Sequence, residues 1–138
     1  MTSTPATNYI LGIEGGRTKT EWVLLQISPD GQSTLHDKGR LPGANYQLIK
    51  KRDLETLLRS LPAQAAHVGI FLAGCATIAE AHELATLAAP IWPAAEIATG
   101  GDLESGFASA FGDQDGIIVI SGTGSSVHGR RNGKIEKA

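Results

Sequence analysis

Two turns of small and hydroxyl-bearing residues, each fed by an apolar run, are the parts of this 138-residue chain best suited to chemistry. In the later one, residues 116–120 (GIIVI) empty into Ser121, Gly122, Thr123, Gly124 and Ser125. Gly122 and Gly124 let main-chain N–H groups approach an anion with no Cβ in the way, and Ser121, Thr123 and Ser125 add hydroxyl donors. In the earlier one, the apolar run 9–13 leads into Glu14, Gly15, Gly16, Arg17, Thr18, Lys19 and Thr20. A pair of such turns suggests a clamp on a nucleotide. Asp102 is the other candidate, a carboxylate at the junction between a predicted strand and a predicted helix. It stands equally well as the cap of that helix, for which aspartate is a preferred residue.

The elements that must position these residues follow from periodicity and breakers. Residues 9–14, 20–28 and 35–41 read as three strands, with Pro29, Asp30 and Gly31 turning the second into the third. Over 51–61, Leu54, Leu57, Leu58 and Leu61 recur at i, i+3, i+4 and i+7, which predicts a helix with one apolar face, closed by Pro62. The short continuous apolar run 68–72 reads as a buried strand, followed by an alanine-rich helix over 78–89 that Pro90 and Pro93 end. A fifth strand, 96–99, delivers the chain to Gly100, Gly101 and Asp102, and 103–111 can form another helix. Three meander strands and then helix, strand, helix, strand, helix describe a five-stranded mixed sheet with packed helices. Residues 114–138 read as a hairpin with no helix of their own to cover it, and Asn132-Gly133 supplies a turn signal after its second strand.

Composition narrows the class. An apolar fraction of 41% with 19% charged residues fits one soluble globular domain rather than a disordered chain. A net charge of −2 with no basic run argues against nucleic acid or an anionic membrane surface as partner. The single cysteine, Cys75, can form no internal disulfide and no multi-cysteine metal site, which suits a reducing cytoplasm. His36, His67, His82 and His128 are too dispersed to suggest a metal centre, and only His128 lies near a candidate loop. The first residues lack the order of a signal peptide, and no apolar run approaches the roughly 20 residues needed to span a bilayer.

Three segments resemble the superfamily of sugar kinases, heat-shock chaperone ATPases and actin, and within it the BadF/BadG/BcrA/BcrD group that includes N-acetylglucosamine kinase. Residues 12–20 (GIEGGRTKT) are similar to the first phosphate loop, 100–106 (GGDLESG) to the segment with the catalytic aspartate, and 116–125 to the second phosphate loop. Residues 42–46 (PGANY) stand where these kinases carry a Gly-x-x-Asn-like segment whose asparagine touches the sugar, here one residue shorter. The resemblance runs from residue 9 to about residue 130. It implies an α/β, ribonuclease H-like, actin-type ATPase domain: a five-stranded mixed sheet with helices on both faces, plus a C-terminal β-hairpin. The implied organisation is a tail over 1–8, the N-terminal kinase domain over 9–113, and over 114–138 the first hairpin of a second domain whose Gly-Gly-Trp-Gly and Gly-Asp-Glu-Gly-Ser segments lie outside this sequence. Arg17 departs from the pattern, standing where the family's loop has a third glycine. If that position needs φ > 0 or a close backbone approach, Arg17 strains or narrows the loop; alternatively its guanidinium pairs with phosphate.

The resemblance implies ATP and Mg2+ as cofactors and an amino sugar, N-acetylglucosamine or glucosamine, as substrate. Phosphoryl transfer asks for charge neutralisation, in-line positioning and a group to take the proton of the attacking hydroxyl. Asp102 is assigned the general base, at the carboxyl edge of the sheet where open α/β sheets bind ligands. Glu14 is placed near Mg2+, which keeps much of its water. Gly15, Gly16, Thr18, Lys19, Thr20, Ser121, Gly122, Thr123, Gly124 and Ser125 are the phosphate-binding candidates, and Asn45, Gly74 and Asp102 face the sugar. Asn45 would serve equally well in a local turn, and Lys19 as an exposed hairpin charge. Cys75 reads as a small buried residue, since nothing basic flanks it.

Two other functions compete. One is the ATPase activator of a 2-hydroxyacyl-CoA dehydratase type system, against which the lone cysteine argues. The other is a non-catalytic binding or regulatory domain that kept the fold. The apolar residues Ile117, Ile118, Val119 and Ile120 are expected to need cover, which predicts a homo-oligomer associating through 115–131.

Overall fold

The computed structural model describes residues 8–121 and 125–138. Its chain order is β1 (Asn8–Gly15), β2 (Lys19–Ile27), β3 (Ser33–Pro42), α1 (Lys51–Arg59), β4 (His67–Leu72), α2 (Ile78–Ala88), β5 (Glu96–Gly100), α3 (Asp102–Phe111), β6 (Gly116–Ser121), β7 (Ser125–Arg131) and β8 (Lys134–Lys137). Residues up to Asp102 form one compact unit, and those from Leu103 on form another. Among the described residues, no helix is long and apolar enough to cross a membrane.

In the first unit a five-stranded sheet runs in the order β3-β2-β1-β4-β5. Short turns suffice for the antiparallel β1-β2-β3 meander, whereas the parallel pairs β1-β4 and β4-β5 each need a crossover, which carries a helix. The β2-β3 turn works as its residues suggest. Gly31 takes φ 85°, the Asp30 carboxylate accepts from the Ser28 hydroxyl and from the Gln32 amide, and Gly31 donates back to Ser28.

Alternation along the strands sends Leu11 and Ile13 of β1, Leu24 of β2, and Val68, Ile70 and Leu72 of β4 into one buried cluster. Leu54 and Leu58 of α1 and Leu84 and Ala88 of α2 complete it, so both of these helices serve the same core. Trp92, 2% exposed, closes the far end and donates its indole N–H to the Pro62 carbonyl at 2.9 Å. The first helix stops at Arg59, short of the expected 61. The Ser60 and Leu61 amides turn back to Leu57 and Leu58, a tightening that satisfies the last carbonyls and still buries Leu61.

The second unit corrects two expectations. Its strands form a three-stranded antiparallel sheet, β6-β7-β8, rather than a hairpin, because Asn132 at φ 50° and Gly133 at φ 79° make a tight turn that returns the chain as β8. Nor does this sheet lack a helix. In α3, Phe107 is fully buried, the Arg130 guanidinium lies 5.2 Å from its ring centre, and the Phe111 ring fills the space over Gly116, where a Cβ would come within 2.5 Å. Arg130 also donates to the carbonyls of Gly112 and Gln114, both at 2.5 Å. Ile118 points at Gly106 of α3, while its strand neighbours Ile117 and Val119, of opposite parity, stay 68% and 65% exposed.

Candidate functional site

Antiparallel pairing brings the β1-β2 turn and the end of β3 to the edge where β1, β4 and β5 all finish, so four loops gather at one end of the first sheet. Gly16 closes the first turn by donating to the Lys19 carbonyl at 2.8 Å. Its own carbonyl accepts from Ala44 at 2.9 Å, and the Gly15 carbonyl accepts from Ala73 at 2.8 Å. The Tyr46 amide then donates to the Ala73 carbonyl at 2.8 Å. The first turn, the segment after β3 and the loop after β4 are therefore one hydrogen-bonded body.

Close approach explains the glycines at these joints. A Cβ on Gly43 would stand 2.1 Å from the Arg17 carbonyl oxygen, and one on Gly101 would stand 2.5 Å from that of Cys75. The second of these contacts draws the residue before Asp102 against the β4-α2 loop. Gly74 takes φ 83°, and its missing Cβ leaves room for Asn45, whose Oδ1 would otherwise lie 2.5 Å away.

The candidate residues take distinct positions. Glu14 is exposed near the end of β1, in register with Glu21 of β2. Gly15, Gly16 and Thr18 lie in or beside the first turn. Lys19 pairs with Glu21 at 2.7 Å, and the hydrogen bond from Lys19 holds the Glu21 carboxyl below its usual range. Thr20 is fully buried and donates its hydroxyl to the Pro42 carbonyl at 2.8 Å, so it fastens the loops together instead of presenting a donor to phosphate. Asn45 makes the local turn that its place in the sequence offered. Its Oδ1 accepts from the Gln47 amide at 2.9 Å in a local turn, and among the described residues no group accepts from its side-chain NH2. Asp102 is exposed as the first residue of α3, directly after buried Gly101. Cys75 is 6% exposed.

In the second unit Ser121 ends β6 opposite Ser125, which begins β7. Gly122, Thr123 and Gly124 of the second loop lie outside the described residues. His128, near that loop, is 3.0 Å from the Ser126 hydroxyl through Nε2.

Several supporting residues were not singled out from the sequence. Gln47 donates to the Gly74 carbonyl at 2.9 Å and to the Glu80 carboxylate, tying the loop after β3 to the start of α2. Thr77 and Glu80 make a reciprocal capping box, each side chain accepting from the other's amide at 3.1 Å. The Thr77 hydroxyl also helps hold the Glu80 carboxyl below its usual range, with Gln47 and the backbone adding to the effect. Tyr46 donates to Glu83 at 2.5 Å, and that bond together with burial pushes its phenol up to about 12. The Thr-x-x-Glu spacing at 77–80 was a legible signal; the pairings of Gln47 and Tyr46 across the chain had none.

Arg17 stands outside the left-handed region of φ, so it occupies its turn without backbone strain. Arg17 lines a cleft of about 320 Å³ with Gly43, Asn45, Leu48, Ile49, Lys50 and Asp53. Among the described residues, no group of three or more His, Cys, Asp and Glu side chains is arranged to hold a metal ion. Glu14 fits the looser requirement of Mg2+, which is commonly held by one or two carboxylates together with water and substrate phosphates.

No protein-family model matches this chain, and no curated protein does. Solved structures do. A candidate N-acetylglucosamine kinase from Porphyromonas gingivalis is similar over 93% of this chain and 46% of its own, with 30% identity and a TM-score of 0.74. A second candidate N-acetylglucosamine kinase, from Chromobacterium violaceum, covers 97% of this chain and 49% of its own at 22% identity and TM-score 0.64. A candidate sugar kinase from Cytophaga hutchinsonii covers 94% and 50% at 19% identity and TM-score 0.58. The chain spans about half the length of each of these proteins. Its fold is similar to that of these sugar-kinase structures over about half of their length.

Proposed function

We propose that this chain carries the phosphate- and sugar-binding half of an ATP-dependent kinase for an amino sugar, N-acetylglucosamine or glucosamine. The observation that carries the reading is the single hydrogen-bonded body formed by the first turn, the Asn45 segment and the loop after β4, with Gly101 packed against it beside Asp102. The 30% identity to the Porphyromonas gingivalis protein supports it. The strand order β3-β2-β1-β4-β5 suits a ribonuclease H-like ATPase domain, and the three motifs suit the BadF/BadG/BcrA/BcrD group.

Each role falls to a group of this chain. Main-chain N–H groups of the first turn hold phosphate oxygens, and the segment from Ser121 to Ser125 is, by its composition, the second phosphate-binding candidate. Asn45 offers its NH2 to a sugar hydroxyl. Glu14 would hold Mg2+, which would supply neutralisation of phosphate charge. Asp102 accepts the proton of the sugar hydroxyl as that oxygen bonds to the γ-phosphorus of ATP and the bond to ADP breaks. Gathering the first turn, Asn45 and Asp102 at one edge of the first sheet positions them before reaction, and positioning supplies much of the catalytic gain in phosphoryl transfer.

The test is ADP formation from Mg-ATP with N-acetylglucosamine, glucosamine, glucose or no sugar, beside an Asp102→Asn variant. Sugar-dependent turnover that falls by about 10²–10⁴-fold in the variant, with ATP binding retained, is the expected result. A chain that binds neither ATP nor any sugar refutes the reading and leaves a fold kept for another purpose.

A further inference from the structure

The cleft beside the first turn has an electrostatic character that a neutral sugar does not explain. Arg17 and Lys50 both line it, and among the described residues neither forms an ion pair. The Asn45 NH2 adds a third donor at the same place. Among the described residues Asp53 is the one carboxylate on the lining, which leaves a net positive charge there. Helix α1 begins here with Lys50 at its cap position and no side-chain cap, so its first amides add to the positive potential. Leu48, 66% exposed, supplies an apolar wall. At about 320 Å³ the cleft lies at the small end of ligand sites, roughly 300–1,000 Å³.

Resting on the kinase reading above, we propose that this cleft is an anion subsite for the acceptor, so that the amino sugar taken bears a carboxylate or phosphate substituent. A guanidinium meets either group with two parallel hydrogen bonds, and the Lys50 ammonium adds a point charge that needs no fixed geometry. The sugar ring would lie against Leu48 with a hydroxyl at Asn45. Arg17, standing where related loops carry glycine, is then a specificity residue, and its ordinary φ means the loop adopts it at no conformational cost.

Titration calorimetry on the whole 138-residue chain with Mg-ATP analogue tests this. The probes are N-acetylglucosamine, its 3-O-lactyl ether, which adds one carboxylate, and its 1-phosphate. At least one anionic probe should bind about tenfold more tightly than the neutral sugar, about 1.4 kcal/mol, and the better of the two identifies the substituent. Arg17→Gly should bring that ratio close to one, Lys50→Gln should reduce it severalfold, and added salt should shrink it. Equal or tighter binding of the neutral sugar overturns the inference and leaves the kinase reading standing. So does an Arg17→Gly chain that keeps the ratio but loses affinity for ATP relative to ADP, because its guanidinium would then read the γ-phosphate. Failure to bind ATP and every sugar overturns both.

Discussion

Gly43→Ala should unfasten the candidate site by breaking the chain's fold locally. The added Cβ would lie 2.1 Å from the Arg17 carbonyl oxygen and 2.6 Å from its carbon, more than an ångström short of ordinary contact, and both are backbone atoms that cannot swing aside. The first turn and the segment after β3 must therefore part. Two hydrogen bonds span that joint, Ala44 to the Gly16 carbonyl at 2.9 Å and the Thr20 hydroxyl to the Pro42 carbonyl at 2.8 Å, and both Ala44 and Thr20 are fully buried. Each bond is worth about 0.5–1.5 kcal/mol net, and a buried polar group left without a partner costs about 1–3 kcal/mol. A destabilisation of about 2–4 kcal/mol follows. With a urea slope of about 1–3 kcal/mol/M, the midpoint should fall by roughly 0.7–4 M, followed by tryptophan fluorescence, to which buried Trp92 contributes. Gly16→Ala is the matched comparison. There the Cβ meets only the Lys19 carbonyl oxygen at 3.5 Å, and φ lies outside the left-handed region. Stability should be unchanged or rise by up to about 1 kcal/mol through the unfolded state, while on the proposed kinase reading ATP affinity should drop, since a Cβ would crowd the main-chain donors assigned to phosphate. A Gly43→Ala chain within about 0.5 kcal/mol of the original, or a Gly16→Ala chain as damaged as Gly43→Ala, would refute the reasoning.

Thr77→Ala removes one half of the capping box at the start of α2 and should cost about 1 kcal/mol in urea denaturation. Because the Glu80 carboxyl is held below its usual range in the folded chain, the stability it lends is present at neutral pH and is lost as pH falls through that range, a loss that Thr77→Ala should blunt. Tyr46 carries the opposite sign. Its phenol is raised to about 12, so its contribution is full below about pH 10, the value for an unfolded tyrosine, and fades as pH climbs to about 12. Absorbance at the phenolate band should show Tyr46 ionising late, and Tyr46→Phe should remove that late step; ionisation near pH 10 would contradict the Glu83 hydrogen bond. If the exposed Ile117 and Val119 face pairs with a second copy of the chain, apparent mass by light scattering should rise with concentration and fall back in Val119→Lys. A constant monomeric mass would refute self-association there.

Local patterning made most of the first unit legible. The apolar runs at 9–13 and 68–72 identified strands, the leucines of 51–61 a helix, and Gly31 and Asn132-Gly133 turns, because each signal is carried by neighbours a few residues apart. Gly15, Gly16, Asn45 and Asp102 were marked as site candidates by residue type and by their places after predicted strands. Tertiary structure decided what those residues do. Thr20 looks like a phosphate donor in sequence, yet cross-strand pairing buries its hydroxyl against Pro42. Helix α3 reads as the last layer of the first sheet, yet Phe107 and Phe111 give it to the β6-β7-β8 unit. Arg17 and Lys50, far apart in the chain, share one cleft only because Gly43 lets the first turn and the third strand's exit touch. The periodicity of a segment is a short-range property that the chain states directly, whereas the partner of a hydroxyl, the sheet a helix covers and the cations that meet in a cleft depend on contacts that exist only once distant segments have packed.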